Sequence, residues 1–135
     1  MINTLELESE RPHHRKALKE LVEQLLPVFE ESIEGIFVYL DNEHKACNER
    51  LASMFGYTPL QWEELDIFEE LFTRKSRDEI MATYYERIVA ERAPAEVQFT
   101  GIKKDGSIFH ARLLMVPISY SGLLFALCFV RPEGM

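Results

Sequence analysis

The sequence predicts an α+β fold: a five-stranded antiparallel sheet covered on one face by short helices and one longer helix, with a further helix flanking it on the N-terminal side. Three observations predict it. Apolar residues recur at helical spacing ahead of the first β-rich stretch. The segment from Asn48 to Arg92 is punctuated into several short helical pieces. From Glu96 onward the apolar period drops to two, the signature of strands.

Residues 1 to 13 are polar without an apolar period and read as an N-terminal tail. Residues 14 to 33 carry Leu18, Val22, Leu25 and Phe29 at spacings of four, three and four, which is one seam of a helix. Pro27 removes an amide donor inside that pattern, so a break is expected near Leu26, with a short second piece ending around Ser32. "GIFVYLD" is β-branched and aromatic and reads as a strand, with "HKACN" as its hairpin partner across Asp41-Asn42. Asn48 is placed to cap a helix of about two turns, in which Leu51, Met54 and Phe55 form one apolar face. Gly56 can take the left-handed conformation that closes it. Thr58, Pro59 and Gln61 then restart the helix with a capping box.

"DIFEELF" supplies another short helical piece, and residues 76 to 92 a longer helix with Ile80, Tyr84 and Ile88 on one line, ended by Ala93-Pro94. Val97 and Phe99 begin the alternating region, and Asp105-Gly106 turns it into "SIFHARLLMVPI". The last strand, "LLFALCFV", is apolar on both faces and belongs at the middle of the sheet. The organisation expected is therefore a tail over 1–13, a helical segment over 14–33, an α+β domain over 34–131 and a tail over 132–135.

Charge narrows the function. A formal net charge of −8 repels phosphate backbones and anionic lipid, which argues against nucleic-acid and membrane partners. Cys47 and Cys128 lack any disulfide or metal-binding spacing and suit reduced thiols. The opening stretch is acidic where a secretory leader would be apolar, so a cytoplasmic protein is expected. No GxSxG, HExxH, P-loop or GxGxxG motif is present. The pairs Glu30-Glu31, Glu63-Glu64 and Glu69-Glu70 are sequence neighbours, so on a helix they point about 100° apart and share no site. An enzyme is not expected.

The stretches "EESIEGIFVYLDNEHKACNERLASMFGYTPLQWEEL", "LFTRKSRDEIMATYYERIV" and "AEVQFTGIKKDGSIFHARLLMVPI" together resemble a PAS domain, the sensory box family, over roughly residues 30 to 131. The marks are the Gly35 turn into a strand, Asn48 opening the short helices, Phe55-Gly56-Tyr57-Thr58-Pro59, and Lys104-Asp105-Gly106-Ser107. The resemblance implies a module that senses a small ligand, cofactor or partner. It also implies a homodimer formed through the helix before the first strand, coupled in cis or trans to a signalling effector such as a histidine kinase or transcriptional regulator. The flavin-adduct subgroup uses a Cys ahead of the long helix, and Leu65 to Phe72 contains none. Haem sensing of the best-known kind uses a His on the long helix, and residues 76 to 92 contain none. The cofactor is left unassigned.

In such a fold the long helix and the inner sheet face line any cavity. The candidate lining is Phe37, Tyr39, Leu51, Phe55 and Ile80, continuing through Tyr84, Ile88, Phe99, Leu113, Met115 and Phe125. The same side chains equally fill a core. Trp62, the single tryptophan, either stacks on a planar ligand or anchors its short helix. Tyr84 or Tyr85 can offer an inward hydroxyl, and His44 and His110 stand as isolated imidazoles with no metal site expected. Leu18, Val22, Leu25 and Phe29 are either a dimer interface or a stripe packed on the domain's own sheet. Two alternatives stand beside the sensory reading: a protein-interaction domain with a filled core, and a small α+β enzyme.

Overall fold

In a computed structural model, which describes residues 4–134, helix α1 (Thr4–Glu31) precedes strands β1 (Gly35–Asp41) and β2 (His44–Cys47). Four helices follow: α2 (Glu49–Phe55), α3 (Pro59–Glu63), α4 (Ile67–Glu70) and α5 (Arg74–Thr83), the last running into a π-helical turn, Tyr84–Val89. Strands β3 (Ala95–Ile102), β4 (Ile108–Tyr120) and β5 (Leu123–Pro132) complete an antiparallel sheet in the order β2-β1-β5-β4-β3. The C-terminal strand thus lies at the centre, where its two apolar faces are both covered. This is the α+β architecture that the sequence predicts.

Alternation along β1, β4 and β5 divides the core in two. Phe37, Leu113, Met115, Ala126, Cys128 and Val130 face the lid formed by α2 to α5. Ile36, Val38, Phe125 and Leu127 face the opposite way, where Ala17, Leu21 and Phe29 of α1 cover them. Phe125 therefore belongs to the outer layer and not to the cavity lining. An unbroken apolar run cannot tell its two faces apart; the pairing of Phe37 with Cys128, and of Met115 with Cys128, decides it.

Helix α1 departs from expectation at both ends. It begins at Thr4, so residues 4–13 of the predicted tail are helical, while residues 1–3 lie outside the described residues. It also runs through Pro27 without a break. A proline inside a helix costs about 3 kcal/mol, and here tertiary anchors on both sides offset it. Leu25 packs on the outer layer, Phe29 is buried in it, and the Phe29 carbonyl accepts a hydrogen bond from Asn48.

The lid follows the local grammar of the sequence. Asn48 caps α2, and Gly56, at φ 88°, closes it with its N–H donating to the Ala52 and Ser53 carbonyls. Thr58 and Gln61 form the capping box of α3. After α4 the chain clips onto the edge of β3: the Ile102 N–H donates to the Leu71 carbonyl at 2.8 Å, and Ser76 Oγ accepts from the Thr100 N–H at 2.8 Å. The long helix of 76–92 is observed as α5 plus the π turn, in which the Ala90 N–H donates to the Tyr85 carbonyl at 3.1 Å. That i→i+5 spacing underwinds the helix locally. Ile80 and Ile88 are buried and Tyr84 is half-buried, whereas Met81, Tyr85 and Val89 are exposed. Among the described residues no helix is long and apolar enough to cross a membrane.

Candidate functional site

The joint between the two layers is Asn48, buried at the end of β2. Its Oδ1 accepts from the Leu51 N–H at 2.9 Å and from the Ile36 N–H at 3.0 Å. Its Nδ2 donates to the carbonyls of Phe29 and Glu34, each at 3.2 Å. An amide side chain has two donor hydrogens and two acceptor lone pairs, and all four are used here. One residue thereby ties the C-terminal end of α1, the start of β1 and the N-terminus of α2. Only its N-cap role was legible from neighbouring residues, because the other partners lie on remote segments.

Beneath the lid the core leaves two small voids. The first, with room for about 20 Å³, lies among Phe37, Tyr39, Ile80, Tyr84, Leu113 and Met115, all predicted, together with Ile67, Phe68, Phe72, Ala126 and Cys128. The second, about 10 Å³, is bounded by Leu51, Phe55, Trp62, Phe99 and Leu113 of the predicted set, with Ile67, Leu71, Phe72 and Val130. Ile88 is fully buried but lines neither. The residues missed come mainly from α4 and the segment after it. "DIFEELF" was legible as a short helical piece, but not as the element whose Ile67, Phe68, Leu71 and Phe72 close the cavity.

A void near 20 Å³ holds one water molecule, whereas ligand pockets span about 300–1,000 Å³. The interior is packed by tilted and edge-to-face aromatics. Tyr39 stands at 5.6 Å from Phe68 and 5.9 Å from Tyr84, and Phe55 at 5.0 Å from Phe109. A flavin or haem macrocycle does not fit among these residues as they stand.

Trp62 packs against Phe37 with ring centroids 5.4 Å apart and is 1% exposed. It anchors α3 to the sheet, and its indole N–H has no hydrogen-bond partner among the described residues. Beside it runs Lys45, whose ammonium donates to the Glu63 carbonyl at 2.9 Å and to the Asn42 carbonyl, with Nζ 5.8 Å from the Trp62 ring. Burial holds the Lys45 pKa below its ordinary value, against the opposing pull of Asp66, Glu63, Asp41 and Glu70. Burial pushes the Tyr39 and Tyr84 phenols and the Cys47 and Cys128 thiols upward. All four are neutral near pH 7, and neither free cysteine is poised as a nucleophile. Of the two tyrosines considered, Tyr84 is the one that lines the void; Tyr85 is exposed.

On the outer face Phe29 is buried and Leu18, Val22 and Leu25 are partly buried, all packed against this chain's own sheet. Tyr120 of β4 donates its hydroxyl to Glu20 at 3.0 Å and accepts from Gln24 at 3.4 Å, which pins α1 further. The large hydrophobic side chains that the C-terminal half of α1 leaves exposed are Leu26 (43% exposed) and Val28 (46%). His110 sits on the exposed side of β4, sharing a 3.1 Å hydrogen bond with Thr100. His44 is not isolated: it is buried, 2.8 Å from Asp41, with its ring 5.4 Å from that of His14.

A family model described as the PAS fold matches residues 18–132. No curated protein matches the sequence. Among solved structures, the PAS domain of a protein from Colwellia psychrerythraea is 17% identical with a TM-score of 0.69, covering 83% of this chain and 96% of that one. A domain of a sensory box sensor histidine kinase/response regulator from Geobacter sulfurreducens is 25% identical, TM-score 0.63, covering 84% and 96%. The PAS domain of a LuxR-family transcriptional regulator from Burkholderia thailandensis, in complex with ethanol, is 14% identical, TM-score 0.65, covering 81% and 96%.

Proposed function

The chain belongs to the PAS family, and on that premise we propose that it is a non-enzymatic sensory module that relays the state of its lid through α1 to a signalling partner. The Asn48 junction carries this reading. A displacement of α2 moves the Asn48 side chain, and Asn48 holds Phe29 in the last turn of α1 together with Glu34 and Ile36 at the entry to β1. The lid and the outer helix are therefore mechanically one unit, although they lie on opposite faces of the sheet. The partner is a second copy of this chain, a histidine kinase or a transcriptional regulator. Leu26 and Val28, exposed at the end of α1 next to Asn48's contact, supply an apolar surface for it.

Light scattering of the full chain tests the homodimer: Leu26→Glu with Val28→Glu should convert a dimer to a monomer with unchanged circular dichroism. A monomeric parent chain would reject it. Hydrogen exchange tests the relay, since Asn48→Ser should speed exchange in the last turns of α1 while leaving β4 and β5 protected.

The tight interior favours a protein partner over a bulky cofactor as the stimulus. A second reading has its own support in the unpartnered Trp62 N–H beside an apolar void. The void has room for about 10 Å³ as it stands, so an apolar ligand of a few non-hydrogen atoms with a single acceptor enters only as the side chains around it move apart. Ethanol, present in the Burkholderia thailandensis domain, is the natural first probe. A rise in melting temperature with short alcohols, lost in Trp62→Phe, would favour it. Native mass spectrometry of the purified protein separates the two readings directly.

A further inference from the structure

Among the described residues one group of three metal-ligating side chains converges: His14 from α1, Asp41 from the end of β1 and His44 from the start of β2, each offering a ligand atom within 4.8 Å of the others. We propose that these three residues form a binding site for a divalent transition cation, with Zn²⁺ the best match to the donors. It shares no residue with the two voids of the aromatic core.

The donor set carries the choice of metal. Two imidazoles and one carboxylate suit zinc and its neighbours, whereas Ca²⁺ and Mg²⁺ demand shells made of oxygen. Around a zinc ion with bonds of about 2.0–2.2 Å, tetrahedral ligand atoms lie about 3.4 Å apart. His44 Nδ1 and Asp41 Oδ1 are already 2.8 Å apart, so the cation takes the place of the proton between them and needs only a small opening of the pair. His14 closes the third side. It is half-buried on a helix, and its ring stands edge-on to that of His44, so a modest side-chain rotation brings a ring nitrogen into range.

The surroundings prepare the site. The N–H groups of Glu43 (2.9 Å) and His44 (2.8 Å) hold Asp41 Oδ1 and orient the carboxylate towards His44. Lys45, the nearest cation in sequence, is turned away to the carbonyls of Asn42 and Glu63. Three protein ligands leave the fourth position to water, so the site binds metal reversibly and does not resemble a closed structural zinc centre. Occupied, it staples the N-terminal half of α1 to the β1–β2 turn, whereas the Asn48 contact lies in the last turn of the helix.

The test uses the full chain, stripped with chelator and titrated with Zn²⁺ by calorimetry, with melting temperature and the visible spectrum of the Co²⁺ form as second readouts. One ion should bind per chain and raise the melting temperature. His14→Ala should weaken binding at least about 100-fold, beyond the 10- to 100-fold that loss of an outer-shell group costs. It should also abolish the Co²⁺ spectrum while leaving the metal-free melt unchanged. His13→Ala, whose ring instead bonds the Ser121 carbonyl at 3.0 Å, should bind like the parent. His44→Gln should also lose binding; if it fails to fold, His14→Ala still decides. A parent chain that binds no Zn²⁺, or a His14→Ala chain that binds as tightly as the parent, overturns the proposal.

Discussion

Asn48 Nδ2 lies 3.2 Å from the carbonyl oxygen of Phe29, so the residue that starts the lid also holds the end of the helix on the other face of the sheet. Truncation to Ala removes the cap, worth about 1 kcal/mol, and strands buried partners at about 1–3 kcal/mol. Asn48→Ala should therefore cost about 2–4 kcal/mol in urea denaturation. Asn48→Ser keeps a cap acceptor and loses the two amide N–H donors that reach Phe29 and Glu34, and should fall between.

Gly35 is where α2 touches β1. A Cβ there would meet Leu51 Cδ2 at 2.9 Å and Leu51 Cα at 3.0 Å, and backbone cannot yield as a side-chain tip does. Gly35→Ala should destabilise by about 1–3 kcal/mol, the usual range for overpacking. Leu51→Val removes the Cδ2 contact and keeps the Cα one, so it should relieve only part of this loss.

Trp62 combines a large apolar body with an unpartnered N–H. Trp62→Ala should cost about 3–5 kcal/mol. Trp62→Phe should cost clearly less, since it removes the desolvated donor together with part of the ring. Equal losses in the two denaturation curves would mean that the N–H has a partner in solution.

Alkaline pH should unfold the protein early. The thiols of Cys47 and Cys128 and the phenols of Tyr39 and Tyr84 titrate above their ordinary values of 9.0 and 10.0 because burial disfavours the anions. Above 9.0 the unfolded chain therefore binds fewer protons than the folded one. The stability these groups contribute, complete at lower pH, is then lost as pH rises. Lys45 works in the opposite direction, since its pKa is lowered from 10.5, but it is one group against four. Melts from neutral to alkaline pH should show the decline beginning near 9.0, and Cys47→Ala with Cys128→Ala should move that onset towards 10.0.

Within α1, burial and not spacing sets the cost of truncation. Phe29 is 7% exposed and Leu26 43%. Phe29→Ala should cost about 3–5 kcal/mol, and Leu26→Ala under about 0.5 kcal/mol, both read as shifts in the denaturation midpoint.

Much of the fold was legible because local chemistry is decisive where it is strong. The Asn48 cap, the left-handed Gly56 and the Thr58–Gln61 box depend on residues within four positions of one another, and all three form. The seam of Leu18, Val22, Leu25 and Phe29 was legible as an apolar stripe, but the same stripe serves a partner chain or its own sheet. The cavity lining was half legible: period and strand parity identify inward residues where polar ones alternate, and fail in "LLFALCFV", where none do.

The sequence by itself determined the element order, the caps and the segmented lid, since these follow from propensities and contacts between near neighbours. Tertiary structure decided what no local rule can reach. It set which face of β5 takes Phe125 and which takes Cys128, and carried α1 through Pro27 because Phe29 is buried beyond it. It filled the space under the lid almost completely, and brought His14 within reach of His44. Each of these depends on which distant segments share a surface, and burial across such a surface outweighs the local preference wherever the two conflict.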